Sequence, residues 1–211
     1  MLFRSWTLSH CTSDPETTEI TGPTYTNPQS RAADRANCSA DRRHVVNLST
    51  VFKAPKFSNR WVERTAGGWQ LSNIIRAQTG GYASITTGVD NALTGIGGQR
   101  ATQLLQNVYD ANPTVDHYLN RAAFGSPVNG TLSTMRPNNV QLNGSLQVDM
   151  NLSRTFQIRE RQSLQFRAEV FNLPNRLNAG APTTGLNSTN FGKITTASDP
   201  RIMQFALKYL F

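Results

Sequence analysis

The side chains that most often carry catalysis or bind metals are few and scattered in this chain of 211 residues. The histidines and cysteines lack the spacing of a zinc site, and no Cys-x-x-Cys pair occurs. Asp116 and His117 are adjacent and could act as an acid–base pair, but no nucleophile has an identifiable place beside them. The sequence therefore predicts no catalytic residue, no metal site, no cofactor and no enzymatic activity.

The glycine-rich stretch GIGGQR at 95–100 and the two cysteines are the other features that could mark a site. The glycines are not followed by Lys-Ser or Lys-Thr, and no strand-to-helix transition surrounds them, so we expect a flexible loop rather than a phosphate site. Cys11 and Cys38 could form a disulfide in an oxidising compartment or remain two free thiols. The sequence leaves both states open.

Charged and amide side chains follow a more informative pattern, because they alternate with apolar ones along six segments. In SLQVDMNLSRTF, Leu146 and Val148 stand on one face of an extended chain, whereas Gln147 and Asp149 stand on the other. Such alternation predicts β-strands with one apolar and one polar face. The predicted strands lie within residues 5–10, 44–52, 68–80, 145–156, 163–171 and 201–211.

The composition fits such strands better than a conventional soluble globule. Apolar residues make up 37% and charged residues 16% of the chain, against about 45–50% and about 25% in typical soluble domains. The net charge of +8 keeps one alternative open, a soluble basic β-rich module that binds nucleic acid or an anionic polysaccharide. The densest basic clusters, Arg42-Arg43 and Arg159-Glu160-Arg161, are small, so no nucleic-acid partner is expected.

The connections between the predicted strands run long, short, long, short, long. We expect the long ones, near 11–41, 80–140 and 173–199, to be unstructured except for one short surface helix within 92–110, and we predict no other helix. Long extracellular loops and short periplasmic turns are the rule in outer-membrane barrels. The predicted fold class is therefore all-β: a partial transmembrane antiparallel β-barrel of about six strands in the bacterial outer membrane.

In such a barrel the apolar faces contact lipid and the polar faces line a water-filled lumen. Aromatic residues near strand ends fit the girdles at the membrane surfaces: Trp6, Phe52, Trp69, Phe156, Tyr209 and Phe211. Charges on the polar face are candidates for cross-strand ion pairs, and His44 with Arg42 and Arg43 is interpreted as a basic rim beside lipopolysaccharide. The predicted lumen-facing residues are Gln70, Arg76, Gln147, Asp149, Asn151, Gln165, Arg167, Glu169, Gln204 and Lys208.

The segment RIMQFALKYLF places Phe205, Leu207, Tyr209 and Phe211 on one face of a strand and ends on an aromatic residue. It resembles the C-terminal signal of bacterial outer-membrane barrels. The resemblance implies that the barrel-assembly machinery recognises this strand. The alternative is a chance aromatic ending on an ordinary edge strand.

Four segments, 41–55, 68–82, 166–182 and 190–211, resemble the end of TonB-dependent receptor-like barrels, most closely the Oar-like type with an N-terminal carboxypeptidase-regulatory-like domain. The resemblance implies a barrel of about 22 strands with a plug, of which residues 1–211 would be the C-terminal segment without a plug domain. It implies outer-membrane lipid and lipopolysaccharide, the missing N-terminal barrel and plug segments, and TonB through that missing part as partners. The intact protein would bind or import a bulky ligand; a non-transporting surface or adhesion barrel is the alternative.

Overall fold

The computed structural model describes residues 1–14, 30–95, 97 and 99–211. It contains one α-helix, α1 (Arg60–Ala66), and two 3-10 helices, Arg31–Asp34 and Arg121–Ala123, within these residues. The strands are β1 (Leu2–Leu8), β2 (Thr12–Ser13), β3 (Ala36–Asn37), β4 (His44–Lys53), β5 (Trp69–Gln78), β6 (Tyr82–Ala83), β7 (Thr102–Gln103), β8 (Phe124–Gly125), β9 (Val140–Gln141), β10 (Ser145–Arg159), β11 (Gln162–Phe171) and β12 (Ile202–Leu210).

Six long strands form one antiparallel sheet, called the wall below, in the order β1-β4-β5-β10-β11-β12. Each of them overlaps one of the segments predicted from alternation, so the all-β antiparallel architecture is confirmed. Among the described residues β1 pairs only with β4 and β12 pairs only with β11, so the sheet is open at both edges.

The strand register keeps side chains of one kind on one side of the wall. Leu152 of β10, for example, lies between Leu71 of β5 and Ala168 of β11. Because side chains alternate along each strand, the wall has an apolar face and a polar face. The long connections leave it at one end, the loop end, and the short connections 54–68 and 160–161 leave it at the other, the turn end.

The long connections are not unstructured, contrary to the expectation from their composition. Their described residues pack at the loop end into a layer, called the loop cap below, in which β2 pairs with β3, β6 with β9 and β7 with β8. No local periodicity predicts this packing, because the contributing residues come from distant parts of the chain. The buried apolar core of the cap consists of Ile85, Ala101, Val108, Leu119, Ala123, Phe124, Met135, Val140 and Leu186.

The helix predicted within 92–110 is wrong for the part of it that the structure describes. Residues Thr102–Gln103 form β7; Ala101 and Val108 enter the core of the cap, whereas Leu104 and Leu105 remain exposed, so no helical apolar face forms. Ile96 and Gly98, which belong to the GIGGQR motif, lie outside the described residues, as do residues 15–29 of the first long connection.

Helix α1 forms instead in the short connection between β4 and β5, where no helix was predicted. Asn59 caps it, because its side-chain Oδ1 accepts hydrogen bonds from the amides of Trp61 at 2.9 Å and Val62 at 3.5 Å. Seven residues are too few for apolar periodicity to reveal a helix, so the cap residue was its only strong local signal.

Candidate functional site

The apolar face of the wall has no layer of protein packed over it in the described part of the chain. Phe205 is 71%, Leu207 67% and Trp6 65% exposed. The buried apolar core of the described residues lies in the loop cap, and the wall contributes only Val170 to it. A continuous exposed apolar surface of this kind marks contact with a membrane or with another protein.

Polar side chains interrupt the apolar face at a few positions, which the alternation argument did not single out. Thr50 and Asn73 lie opposite each other in β4 and β5, and the Thr50 hydroxyl donates to the Asn73 side-chain oxygen. Arg154 points to the apolar side at the turn end and donates to backbone carbonyls of α1. Arg4 lies on the edge strand β1, opposite Leu48. Thr50, Asn73 and Arg154 therefore each have a hydrogen-bond partner on the apolar side of the wall.

All ten residues predicted to face a lumen lie on the polar face, as the register shows. Gln147 lies opposite Arg76, and Asn151 opposite Glu169. The face continues across β12, where Lys208 lies opposite Gln165 and Gln204 opposite Glu169. The remaining members, Gln70, Asp149 and Arg167, occupy alternate positions of the same strands.

The polar face carries hydrogen bonds and one ion pair, but the ion pair does not cross between strands. Among the described residues, Arg167 and Glu169 form the ion pair on this face, with Arg167 Nη1 3.7 Å from Glu169 Oε1. Both residues lie on β11. The cross-strand contact is made by a neutral partner, since Asn151 Nδ2 donates to Glu169 Oε1 at 3.0 Å. Along β10 itself, Asp149 Oδ1 accepts from Gln147 Nε2 at 2.7 Å. Across the strands, the amide–carboxylate bond of Asn151 to Glu169 therefore stands where an ion pair was expected.

The aromatic residues predicted to form girdles occupy two levels of the apolar face. Trp6 lies at the loop end, stacked on His44 with ring centroids 5.9 Å apart. At the turn end the guanidinium of Arg154 lies 5.5 Å from the centroid of Trp69 and 4.7 Å from that of Phe156, which are cation–π distances. The register places the other predicted girdle residues, Phe52 and Tyr209, at the same turn end.

The predicted C-terminal signal residues lie together on one exposed side of β12. Phe205, Leu207 and Tyr209 alternate along the apolar face of this edge strand. Phe211 follows the strand and stacks on Tyr209, with ring centroids 6.0 Å apart. The arrangement presents a continuous apolar and aromatic surface beside an unpaired strand edge.

The loop cap is tied together by a disulfide and a buried ion pair. Cys11 and Cys38 are joined, with their Cα atoms 5.4 Å apart, so the oxidised one of the two open alternatives is the state in this structure. Asp34 and Arg100, 2% and 9% exposed, form an ion pair across 66 residues of chain. This pair connects the first long connection to the second, and neither residue stood out in the sequence.

The predicted basic rim is largely engaged within the cap. Arg43 Nη2 lies 3.0 Å from His10 Nδ1, and Arg42 Nη1 donates to the Ser39 and Asp41 carbonyls at 3.3 and 3.2 Å. These contacts give the two arginines a structural role in joining the cap to the top of β4.

Two tyrosines at the edge of the cap core have perturbed acidities. The Tyr109 hydroxyl donates to the Gln141 carbonyl at 2.8 Å, and its ring meets that of Tyr118 edge to face, with centroids 5.5 Å apart. Burial raises the pKa of Tyr109, and burial together with the neighbouring Tyr109 raises the pKa of Tyr118 to about 12. Both groups are therefore neutral at physiological pH.

The candidates for chemistry remain isolated in the fold. The amide of His117 donates to the Thr114 hydroxyl at 3.2 Å, so Asp116 and His117 lie in a turn of the cap. No group of three or more His, Cys, Asp or Glu side chains that could hold a metal occurs among the described residues. No helix in the described ranges is long and apolar enough to cross a membrane.

Comparison with known proteins bears on the wall and the cap together. A family model described as "Outer membrane beta barrel domain" matches residues 2–204, which include both the loop cap and nearly all of the wall. Searches of the curated proteins and of the solved structures gave no match. The matched architecture has an apolar outer band with aromatic girdles, long loops at one end and short turns at the other, which are the features found here.

Proposed function

The chain belongs to the outer membrane beta barrel domain family, and from this premise we propose that it supplies part of the wall of a TonB-dependent receptor-like barrel of the Oar-like type. Its place is the bacterial outer membrane. The proposal assigns residues 1–211 to the C-terminal part of a larger barrel whose intact form binds or imports a bulky ligand. The sequence resemblance over most of residues 41–82 and 141–211 is the basis for this finer assignment.

One observation carries the proposal: within the described residues the wall is amphipathic and open at both edges. A sheet in hydrocarbon must pair every backbone donor and acceptor within protein, which requires closure. The unpaired edges of β1 and β12 therefore need further strands, and the proposed source is the N-terminal barrel segment of the intact protein. An open edge left in place would pair with other chains and aggregate.

The polar face supports a hydrated, plugged interior rather than a narrow packed barrel. Its side chains are mostly amides and charged groups, satisfied by pairs such as Asn151 with Glu169. In the proposal this face lines the lumen, and the cations Arg76 and Lys208 on it face the plug that the N-terminal part contributes. TonB would act through that part alone.

The loop cap supports a receptor role, because it gives the outer end of the wall a defined shape. Its buried core and the Asp34–Arg100 pair hold three long connections in fixed positions. A preformed surface binds a ligand at a lower entropic cost than mobile loops do. The cap surface also faces lipopolysaccharide, the proposed surrounding of the outer leaflet.

Membrane fractionation tests the barrel assignment. The chain expressed with its upstream coding sequence should be recovered in the outer-membrane fraction and should migrate differently on gels with and without heating. Recovery as a soluble protein, monodisperse without detergent and binding anionic polymers in a salt-sensitive manner, would instead support the basic-module alternative. Uptake of a ligand that stops when TonB is deleted separates a transporter from an adhesion barrel.

Recognition of β12 by the barrel-assembly machinery is the second part of the proposal. We expect the double variant Tyr209→Ser and Phe211→Ser to lower the amount of protein in the outer membrane severalfold. The matched control is Gln204→Ser with Lys208→Ser, which changes two residues on the polar face of the same strand. Equal losses in the two variants would indicate general damage to the strand rather than a lost recognition signal.

A further inference from the structure

Helix α1 is fixed to the apolar side of the wall at the turn end. Arg154 Nη1 donates to the Thr65 carbonyl at 2.9 Å, and its Nη2 donates to the carbonyl of Arg64 at 2.6 Å. Trp69 Nε1 also donates to the Thr65 carbonyl at 2.9 Å. Since Arg154 and Trp69 are register neighbours on the apolar face, the last turn of the helix is held against the side that contacts lipid.

The seven residues of α1 divide into two arcs when placed at 100° per residue. The charged residues Arg60, Glu63 and Arg64 occupy one arc, and Trp61, Val62, Thr65 and Ala66 occupy the other. The Thr65 hydroxyl donates to the Trp61 carbonyl at 3.0 Å, so the second arc presents no unpaired donor. The arc is unpartnered within the described chain, with Trp61 74% and Val62 39% exposed.

The surroundings of α1 carry an excess of positive charge. The carboxylate of Glu63 is engaged locally, because it accepts from the Phe57 amide at 2.7 Å. Arg64 lies over the Trp61 ring at 5.8 Å, so charge and aromatic surface meet at the same level. Basic residues outnumber acidic ones at the turn end, where the chain carries Lys53, Lys56, Arg60, Arg64, Arg159 and Arg161 against Glu63 and Glu160.

We infer that α1 is an interfacial helix that binds anionic phospholipid headgroups of the periplasmic leaflet. Short turns lie on the periplasmic side of outer-membrane barrels, so the turn end meets that leaflet. The apolar arc continues the lipid-contacting face of the wall into the headgroup region, where tryptophan is favoured. Arg60 and Arg64 then face the phosphates, and each basic group near an anionic surface raises lipid association roughly fivefold.

The test uses tryptophan quenching by brominated lipids in the intact protein, expressed with its upstream coding sequence and refolded into vesicles. Vesicles contain phosphatidylcholine and phosphatidylglycerol, and either lipid is brominated in turn near its headgroup. The quenching due to Trp61 is the difference between the wild-type chain and Trp61→Phe. We expect this difference signal to be quenched more by brominated phosphatidylglycerol, with a preference of severalfold that falls to near parity in Arg60→Gln with Arg64→Gln.

A matched control removes the same charge at the other end of the molecule. Arg35→Gln with Arg136→Gln changes two exposed arginines of the loop cap and should leave the preference at Trp61 unchanged. If iodide in the aqueous phase quenches the fluorescence of Trp61 and neither brominated lipid does, the inference is overturned. Emission that depends on the protein-to-lipid ratio would overturn it in favour of contact between copies of the chain.

The same measurement separates failure of this inference from failure of the barrel assignment on which it depends. The signal that remains in Trp61→Phe includes that of Trp6 and Trp69 on the wall. If the wall contacts lipid and α1 does not, brominated lipids quench that remaining signal but not the Trp61 signal. If the wall itself is not in the bilayer, neither signal responds.

Discussion

A charge placed on alternate faces of β10 provides the sharpest test of which side of the wall meets hydrocarbon. Met150 lies on the apolar face, midway between Leu146 near the loop end and Arg154 near the turn end. The strand between those two residues is about 26 Å long at ~3.3 Å per residue, or about 19 Å of height at a tilt of about 45°. Met150 is therefore near the midplane, where an arginine costs about 2–4 kcal/mol. Met150→Arg should lower the folding equilibrium constant by about 30- to 700-fold.

The matched control places the same side chain one residue further along. Asn151 lies on the polar face opposite Glu169, so Asn151→Arg sets a cation beside a carboxylate, and we expect a change within about 1 kcal/mol. Both variants of the intact protein are unfolded with urea from phospholipid vesicles, and tryptophan emission is followed. Equal small costs at the two positions would show that the apolar face does not contact hydrocarbon. A larger cost for Asn151→Arg would reverse the assignment of the two faces.

Three further predictions concern the loop cap. Phe124→Ala empties a position that is 2% exposed and should cost the cap about 3–5 kcal/mol, seen as faster proteolysis within 80–140 while the wall stays protected. Replacing Cys11 and Cys38 by serine should cost up to about 3–4 kcal/mol for a separation of 27 residues, measured by hydrogen exchange in β2 and β3; a reducing agent should then have no further effect. Because the pKa of Tyr118 is raised to about 12 in the fold and is about 10 when unfolded, cap stability should be intact below pH 10 and fall between pH 10 and 12. Absorbance at 295 nm should follow this titration, and Tyr118→Phe should remove its most alkaline component; an unchanged curve would contradict the assignment.

The wall could be predicted from the sequence because its signal is local. Alternation needs only neighbouring residues, and each wall strand is long enough to repeat the pattern several times, as β10 does from Ser145 to Arg159. The ten polar-face residues follow directly from the same alternation. What alternation does not give is the pairing of charges, since Arg167 meets Glu169 along its own strand rather than across to a neighbour.

The loop cap and α1 could not be predicted because their signals are long-range or too short. Asp34 forms an ion pair with Arg100, which lies 66 residues away in the chain. The sequence around either residue contains no pattern that indicates its partner. Asn172 is another case: it adopts a positive φ of 50° and its side chain binds the Arg176 and Asp199 carbonyls at 2.9 and 3.2 Å. The segment FNLPN contains turn-forming residues, which indicate a bend at this position. They do not indicate the contact with the Asp199 carbonyl, which lies 27 residues away in the chain.

The low apolar content of the chain follows from the way its two parts are stabilised. A soluble sheet must bury its apolar face under a second layer of protein, which itself needs an apolar face. Here lipid takes the place of that layer, so residues such as Phe205 and Leu207 remain exposed within the chain. The cap must exclude water with protein alone, and it therefore holds nearly all of the buried core. Detergent or lipid should consequently govern the stability of the wall, whereas core substitutions should govern that of the cap.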